Sequence, residues 1–258
     1  LIFLMSIKFT ILGCGSSLGV PRIDGFFGNC DPKNPKNYRT RCSALLTYNQ
    51  KNILIDTSPD LKNQLLKNKV KNINNVFYTH SHADQTHGIN ELRVFFLKNK
   101  QRIPVYADKY TKKYLTKSFS YCFNSSNDYP STLKFYNLKN KNTINHKIVI
   151  DSIKVKHGSI LSNAFVINNK CAYAPDINKI FTKDLDKFKN LKFLVIDCLR
   201  YDFHPSHFNL SDVIKLVKII KPKKTILTNL HNDIDYVKIR KHLPKNIIPA
   251  FDGMSFNI

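Results

Sequence analysis

The chain has 258 residues, of which 42% are hydrophobic and 12% aromatic, so it can bury a substantial core and is not a disordered chain. Its formal charge is +23, from 41 Lys and Arg against 18 Asp and Glu. It contains no run of roughly 18 apolar residues, the length that a membrane-spanning helix requires, and a membrane is therefore not an expected partner.

The first half of the chain predicts strands that alternate with helices. Residues 7–12 are apolar and predict a buried strand, which enters a tight loop at 13–17 and then an irregular surface loop at 21–41. Further predicted elements, in chain order, are a hairpin of 43–47 with 52–56, a helix at 61–69, a strand at 75–79, a helix at 90–97, a strand at 103–107 and a helix at 109–119.

The region from 122 to 147 has no clear periodicity, and its role is left open. Beyond it the sequence predicts short strands at 148–150, 153–156, 164–167 and 171–174, then helices at 183–189 and 211–221 that precede strands at 193–197 and 225–228. This order indicates an α+β fold in which two sheets pack face to face with helices outside, a four-layer αββα sandwich.

The chain is expected to be a single cytoplasmic domain. Its apolar opening at 1–4 lacks a basic region and a cleavage site, so Met5 is the expected functional start and 5–258 the expected domain. The six cysteines are scattered with no C-x-x-C pair, which indicates reduced, buried thiols rather than a disulfide framework.

The positive charge gives only weak support for nucleic-acid binding. Only seven of the 41 basic residues are Arg, and the lysines are dispersed along the chain instead of forming a stripe with aromatic residues. The charge still attracts anionic substrates. A small phosphorylated molecule is therefore the favoured partner, and a homodimer is left open.

The segment from Thr79 to Gly88 contains the strongest functional signal. It carries the pattern H-x-H-x-D as His80, His82 and Asp84, directly after a predicted strand. Two histidines two apart in an extended chain project to one side, where both imidazoles can meet one ion, and Asp84 can offer oxygen to a second ion. Such a set suits Zn, Fe or Mn.

Three further ligand candidates follow later predicted strands. His157 ends one strand, Asp176 follows a second, and His231 follows a third. Each alone has an ordinary alternative, such as a capping aspartate or a surface histidine. A candidate at each of four successive strand exits is hard to produce by chance.

These residues resemble the metallo-β-lactamase superfamily and, more narrowly, its branch of phosphoribosyl 1,2-cyclic phosphate phosphodiesterases. The resemblance covers nearly the whole chain, and its blocks are residues 13–22, 80–88, 204–208, 229–231 and 251–254. The resemblance implies a metal-dependent hydrolase that uses two divalent ions (Zn, Mn or Fe) and a metal-bridging hydroxide. A cyclic ribose phosphate is one candidate substrate.

The resemblance also implies which residues hold the two metals. His80, His82 and His157 hold one ion, Asp84 and His231 hold the other, and Asp176 bridges them. The superfamily usually has His where this chain has Gln85, which offers only a neutral carbonyl oxygen, so the second site is expected to be weaker or to favour a harder ion such as Mn.

The carboxylates of Asp84 and Asp176 are also expected to take part in catalysis, and Asp176 can orient the nucleophile. His207 is the candidate general acid for the departing alkoxide, because imidazole titrates near neutrality. His204 is a second catalytic candidate, with a surface loop histidine as its alternative.

Arg200, Ser16 and Ser17 are the candidate phosphate-binding residues. Arg200 can bind phosphate with its guanidinium fork. For the two serines, which follow the first predicted strand, a simple turn is an equal alternative.

Three other functions stay open. They are a ribonuclease Z-like nuclease, a thioester or lactone hydrolase on the same scaffold, and a binding module that has lost its metals. Some members of the branch hold an extra zinc with a cysteine cluster in the loop after the first strand. That loop has only Cys30 here, and this extra zinc is not expected.

Overall fold

The structure is a computed structural model that describes residues 6–126 and 128–258. The predicted start at Met5 and the predicted non-native residues 1–4 lie outside the described residues. None of the helices in the described ranges has the length and the apolar character needed to cross a membrane.

The described chain forms fourteen strands and seven α-helices. The strands are β1 (Lys8–Gly13), β2 (Ser43–Tyr48), β3 (Lys51–Ile55), β4 (Asn75–Phe77), β5 (Ile103–Ala107), β6 (Leu133–Asn137), β7 (Lys141–Ile144), β8 (Ile148–His157), β9 (Ile160–Ile167), β10 (Cys171–Ala174), β11 (Phe193–Asp197), β12 (Lys224–Thr228), β13 (Ile247–Pro249) and β14 (Ser255–Asn257). The α-helices are α1 (Leu61–Lys67), α2 (Ala83–Thr86), α3 (Arg93–Asn99), α4 (Lys109–Ser118), α5 (Ser120–Phe123), α6 (Leu210–Ile220) and α7 (Tyr236–His242). Three 3₁₀ helices lie at Pro35–Asn37, Ile89–Leu92 and Thr182–Phe188.

The described residues divide into two compact units. The first unit contains the residues up to Leu12, Ser43–Leu138 and Gly253–Asn257, and the second contains Gly13–Cys42, Lys139–Asp252 and Ile258. The prediction of one domain over 5–258 stays a prediction.

The first unit is built on a mixed seven-stranded sheet in the order β14-β1-β2-β3-β4-β5-β6. Strands β3 to β6 run parallel, whereas β2 is antiparallel to β3, as the predicted hairpin requires. Buried apolar residues of the strands, α1, α3 and α4 form its core. Because β3 and β4 are parallel, the residues that follow them lie at the same edge of the sheet.

The second unit has its own mixed sheet in the order β13-β12-β11-β10-β9-β8-β7. Strands β10 to β13 run parallel, and β8 and β10 each pair antiparallel with β9. The carboxyl ends of β8, β10, β11 and β12 therefore meet at one edge. Buried side chains of this sheet and of α6 form a continuous apolar core.

Several predicted elements differ in the structure. The predicted strands 148–150 and 153–156 are one strand, β8, because its ladders to β7 and β9 continue through Asp151 and Ser152. The predicted helix 90–97 is a 3₁₀ turn followed by α3, and the predicted helix 183–189 is 3₁₀. The unpatterned region 122–147 contains the second half of α5 together with β6 and β7.

Candidate active site

The histidine motif of the first unit leaves the carboxyl end of β4. Nε2 of His80 lies 2.9 Å from Nδ1 of His82, and Nδ1 of His80 lies 3.1 Å from the hydroxyl of Thr79. Because Nδ1 of His80 contacts Thr79, the other ring nitrogen, Nε2, faces His82. Two imidazole nitrogens at this separation suit a shared proton or a shared metal ion, as the sequence pattern predicts.

A buried carboxylate, Asp56, supports this motif from the end of β3. Its two oxygens accept hydrogen bonds from the backbone N and the hydroxyl of Thr79, both at 2.8 Å. Asp56 is fully buried and has a left-handed backbone with φ of 62°. Burial raises its pKa well above the usual range, the two Thr79 bonds oppose that shift, and the charge of Asp84 adds to it.

We expect Asp56→Asn to destabilise the protein by about 1–3 kcal/mol. The carboxylate accepts from both the backbone N–H and the hydroxyl of Thr79, whereas the amide would turn its NH2 group toward one of these two donors. The raised pKa means that folded Asp56 holds its proton more tightly than the unfolded chain does. Its contribution to stability therefore decreases as the pH rises above about 4. Urea unfolding in EDTA between pH 4 and pH 8 should show a flatter pH dependence for the variant. A parallel pH dependence in both proteins would contradict this role.

Gln85 and Gly88 lie in the turns after the two histidines. Gln85 is fully buried in α2, and its backbone carbonyl accepts a hydrogen bond from Thr57 N at 2.8 Å. The backbone of Gly88 passes so close to Ser58 that a Cβ would lie 2.0 Å from the Ser58 carbonyl oxygen. Metal coordination by Gln85 stays a prediction.

His87 is not a candidate ligand in the structure. Its ring is exposed and packs edge-on against Phe119, with ring centroids 5.4 Å apart.

His157, at the end of β8, belongs to the second unit and is buried. Its Nδ1 lies 2.7 Å from the carbonyl oxygen of Ser206 and must donate to it, since a carbonyl only accepts. The neutral ring therefore carries its lone pair on Nε2. Histidines that bind metals usually donate their other nitrogen in this way.

Asp176 and His207 lie beside His157. Oδ1 of Asp176 is 4.0 Å from Nε2 of His157 and 4.0 Å from Nδ1 of His207. One potential ligand atom from each of the three residues lies within 4.8 Å of the others. The side-chain amide of Asn229 donates to the Pro175 carbonyl at 2.9 Å, next to Asp176.

His207 is held by a second buried carboxylate. Its Nδ1 is 2.6 Å from Oδ2 of Asp197, which also accepts a hydrogen bond from Ile177 N at 3.0 Å. Complete burial raises the pKa of Asp197 to about 6, although the charge and the hydrogen bond of His207 lower it. The short contact favours the ionised form of Asp197, and an ionised Asp197 stabilises a protonated His207.

The loop from Arg200 to Asn209 carries both His204 and His207. Asn178 anchors it, since its amide donates to the Pro205 carbonyl at 2.8 Å while its oxygen accepts from Gly158 N at 3.1 Å. Burial, with the nearby charges of His207, Arg200 and His231, lowers the pKa of His204. In the same loop the side chain of Phe203 is 72% exposed.

His231 follows β12 and stays outside the cluster of His157, Asp176 and His207. Its Nδ1 is 3.2 Å from Oδ1 of Asp233, and about a third of its side chain is exposed. Its backbone N donates to the Leu199 carbonyl at 2.9 Å.

The two candidate serines differ. Ser16 is buried, and its hydroxyl has no hydrogen-bond partner within the part of the chain that the structure describes. Its backbone N donates to the Leu230 carbonyl at 3.3 Å, which places it beside His231. Ser17 is exposed in the following turn.

The donors of both units fit a divalent metal. They consist of imidazole nitrogens and carboxylate oxygens, which are the ligands that Zn, Fe and Mn share. The contacts at Nδ1 of His80, His157 and His231 make Nε2 the nitrogen of each ring that would face an ion. All six cysteines are buried free thiols, as predicted, and none lies in these clusters.

Comparison with known proteins decides the family. Residues 51–229, more than half of the chain, match the family described as the beta-lactamase superfamily domain. The chain belongs to this superfamily. Two predictions from the sequence are thereby confirmed, the superfamily and its α+β fold.

Among individual relatives, an octanoyltransferase of Porphyromonas gingivalis (strain ATCC BAA-308 / W83) is 28% identical to this superfamily member over 250 residues, 95% of the chain. The match covers 50% of that relative, so the chain spans about half the length of the curated protein it matches.

Two solved structures share the fold along almost the whole chain. A new diphosphatase from the PhnP family is 28% identical, with a TM-score of 0.89 and 98% coverage of both chains. Human tRNase Z, short form, is 17% identical, with a TM-score of 0.71 and coverage of 96% of this chain and 98% of that one. At 17% identity the second likeness concerns the fold alone.

The sequence reasoning missed Asp56, Asp197 and Asn178. The sequence did carry a signal for the two aspartates, because each directly ends or follows a strongly apolar strand. A charged residue is rarely buried at such a position unless it is paired. Asn178 carries no such signal, since its two partners are distant in the sequence.

Proposed function

We propose that this protein is a metal-dependent hydrolase that cleaves phosphodiesters, with a small phosphorylated molecule as substrate. The observation that carries the proposal is the His207–Asp197 pair, which holds a protonatable imidazole 4.0 Å from the carboxylate of Asp176. Such a pair can protonate a leaving oxygen, and phosphodiester cleavage requires that step.

The proposed metal ligands are the imidazoles and carboxylates that the superfamily resemblance implies. They are His80, His82, Asp84, His157, Asp176 and His231, with Gln85 as a weaker candidate. Two bound divalent ions, of Zn, Mn or Fe, would supply Lewis-acid activation of water and of the phosphoryl oxygens.

The protein's own residues then divide the remaining work. Asp176 orients the attacking water by accepting its hydrogen bond. His207 gives its proton to the departing oxygen, and Asp197 stabilises the protonated ring beforehand. Ser16, Arg200 and His204 are proposed to bind the phosphate, since the buried Ser16 hydroxyl has a hydrogen bond to give.

The diphosphatase from the PhnP family supports this choice, because it matches the chain over its full length at 28% identity. A cyclic ribose phosphate is the substrate that the resemblance of the sequence favours. We also propose a cytoplasmic location, a single domain over 5–258 and, as a further possibility for test, a homodimer.

A substrate panel tests the proposal. The purified protein should hydrolyse bis(p-nitrophenyl) phosphate and a ribose 1,2-cyclic phosphate with Mn, Zn or Fe. Activity should disappear in EDTA and return when the metal is added back. A precursor tRNA in the same panel tests the ribonuclease alternative. Absence of phosphodiester cleavage with all three metals would reject the proposal.

Hydrolysis of a thioester is the second candidate. The relative from Porphyromonas gingivalis is named an octanoyltransferase, and transfer of an octanoyl group is chemistry at an acyl carbon. An octanoyl thioester in the panel separates the two candidates. Faster turnover of the thioester than of every phosphodiester would select the second one.

A further inference from the structure

Arg39 has a fully enclosed side chain in the second unit, with only 2% exposure. Its Nη1 donates to the carbonyl of His231 at 3.1 Å, and its Nη2 donates to the carbonyl of Ile234 at 2.7 Å and to Oδ1 of Asn37 at 3.1 Å. These acceptors are neutral oxygens. A buried guanidinium is costly unless its donors are satisfied, so its presence here needs an explanation.

Two of these acceptors, the carbonyls of His231 and Ile234, belong to the segment that carries His231. Asn37 extends the same network, because its Oδ1 also accepts from Tyr236 N at 2.9 Å and its Nδ2 donates to Asp235 Oδ2 at 2.7 Å. Asp235 in turn caps the first turn of α7 through its bonds to Val237 N and Lys238 N. The segment between β12 and α7 is thus tied to the loop that contains Arg39.

The backbone of His231 is fixed on both sides of the residue. Its N donates to the Leu199 carbonyl at 2.9 Å, and its own carbonyl receives the Arg39 bond. The imidazole is oriented separately by Asp233 at 3.2 Å. The carbonyl also accepts a longer bond from Ile234 N at 3.2 Å, so removal of Arg39 would leave it with that bond alone and let the ring shift.

We propose that Arg39 is a positioning residue that fixes His231 for metal binding. The proposal rests on the proposed function, in which His231 is a ligand. Lys cannot fully replace Arg here, because a single ammonium cannot reach two carbonyls and an amide with the geometry of the guanidinium fork.

The experiment compares metal binding by Arg39→Gln and Arg39→Lys with that of the wild type. The metal-free proteins are titrated with Mn and with Zn by calorimetry, and bound metal is counted after gel filtration. For Arg39→Gln we expect the more weakly bound metal ion to bind about 10–100-fold less tightly than in the wild type. The affinity of the more tightly bound ion should not change. Arg39→Lys should fall between Arg39→Gln and the wild type.

Arg102 offers a control for the loss of guanidinium bonds to backbone carbonyls. Its Nε and Nη2 also donate to backbone carbonyls, those of Leu133 at 2.9 and 2.6 Å and of Phe123 at 3.0 Å, in the first unit. Arg102 is exposed whereas Arg39 is buried, so Arg102→Gln should lower thermal stability by less and leave both metal affinities unchanged.

Wild-type metal affinity in Arg39→Gln would overturn the proposal, as would an equal loss in Arg39→Gln and Arg102→Gln. If Arg39→Gln does not fold, Arg39→Lys decides. If neither folds, Arg39 is a structural residue and the positioning role is rejected. A wild-type protein that binds no metal would instead reject the proposed function.

Discussion

Asp176→Ala is expected to reduce phosphodiester hydrolysis by about 10³-fold or more, a loss of about 4 kcal/mol of transition-state stabilisation. The variant removes a buried carboxylate that lies 4.0 Å from both His157 and His207, and no other carboxylate takes part in that cluster among the described residues. His82→Ala should have a comparable effect, since it removes one of the two facing imidazoles of the first unit.

The measurement is kcat/KM for bis(p-nitrophenyl) phosphate with added Mn or Zn, together with the metal content of each variant. Circular dichroism should show that both variants remain folded. Asp186→Ala is the control, because the side chain of Asp186 is 84% exposed and pairs with Lys189 at the surface. Near-wild-type turnover of either site variant with added metal would show that the metal assignment is wrong.

Asp197→Asn is expected to slow the cleavage of esters with poor leaving groups by about 10²-fold, within the range that general-acid catalysis contributes. The substitution keeps the shape of the side chain and removes the charge that stabilises protonated His207 at 2.6 Å. Without that charge the ring loses its proton at a lower pH. The alkaline limb of the pH–rate profile should therefore move to lower pH.

Leaving-group dependence separates this role from a structural one. A p-nitrophenolate departs without protonation, so its release should be slowed far less than that of an alkyl alkoxide. His207→Ala should show the same contrast and lose the alkaline limb. Equal losses for both leaving groups would remove His207 from the role of acid and Asp197 from its support.

Hydrophobic patterning predicted most of the fold. Strand β5, helix α4 and strand β11 match their predicted ranges to within one residue. In each of them the apolar residues recur with a clear period, and the residues at both ends mark where the element begins and ends. Strands β6 and β7 were missed, since Lys and Asn occupy the exposed positions and few apolar residues mark the buried face. Their stability depends on pairing with β5 and β8, which local sequence does not reveal.

Ligand candidates were predictable where their spacing is short. His80 and His82 are two residues apart on an extended segment, and the structure places their nitrogens 2.9 Å apart. His157 and Asp176 were predicted as ligand candidates from their positions after strands, whereas their approach to His207 depends on a loop as well and was not predicted. The bonds of His157 to Ser206 and of His207 to Asp197 are set by tertiary packing, and of these two partners only Asp197 carries a sequence signal, a charge at the end of an apolar strand.

The close passage of Gly88 over Ser58 limits how this protein can diversify. The obstacle to any side chain at position 88 is a main-chain carbonyl, which cannot rotate aside, so neutral drift in the segment that bears His80 and His82 is restricted. Position 203 has no comparable restriction, because the aromatic ring of Phe203 projects into solvent. New substrate preferences should arise there first, while the histidine segment is inherited unchanged.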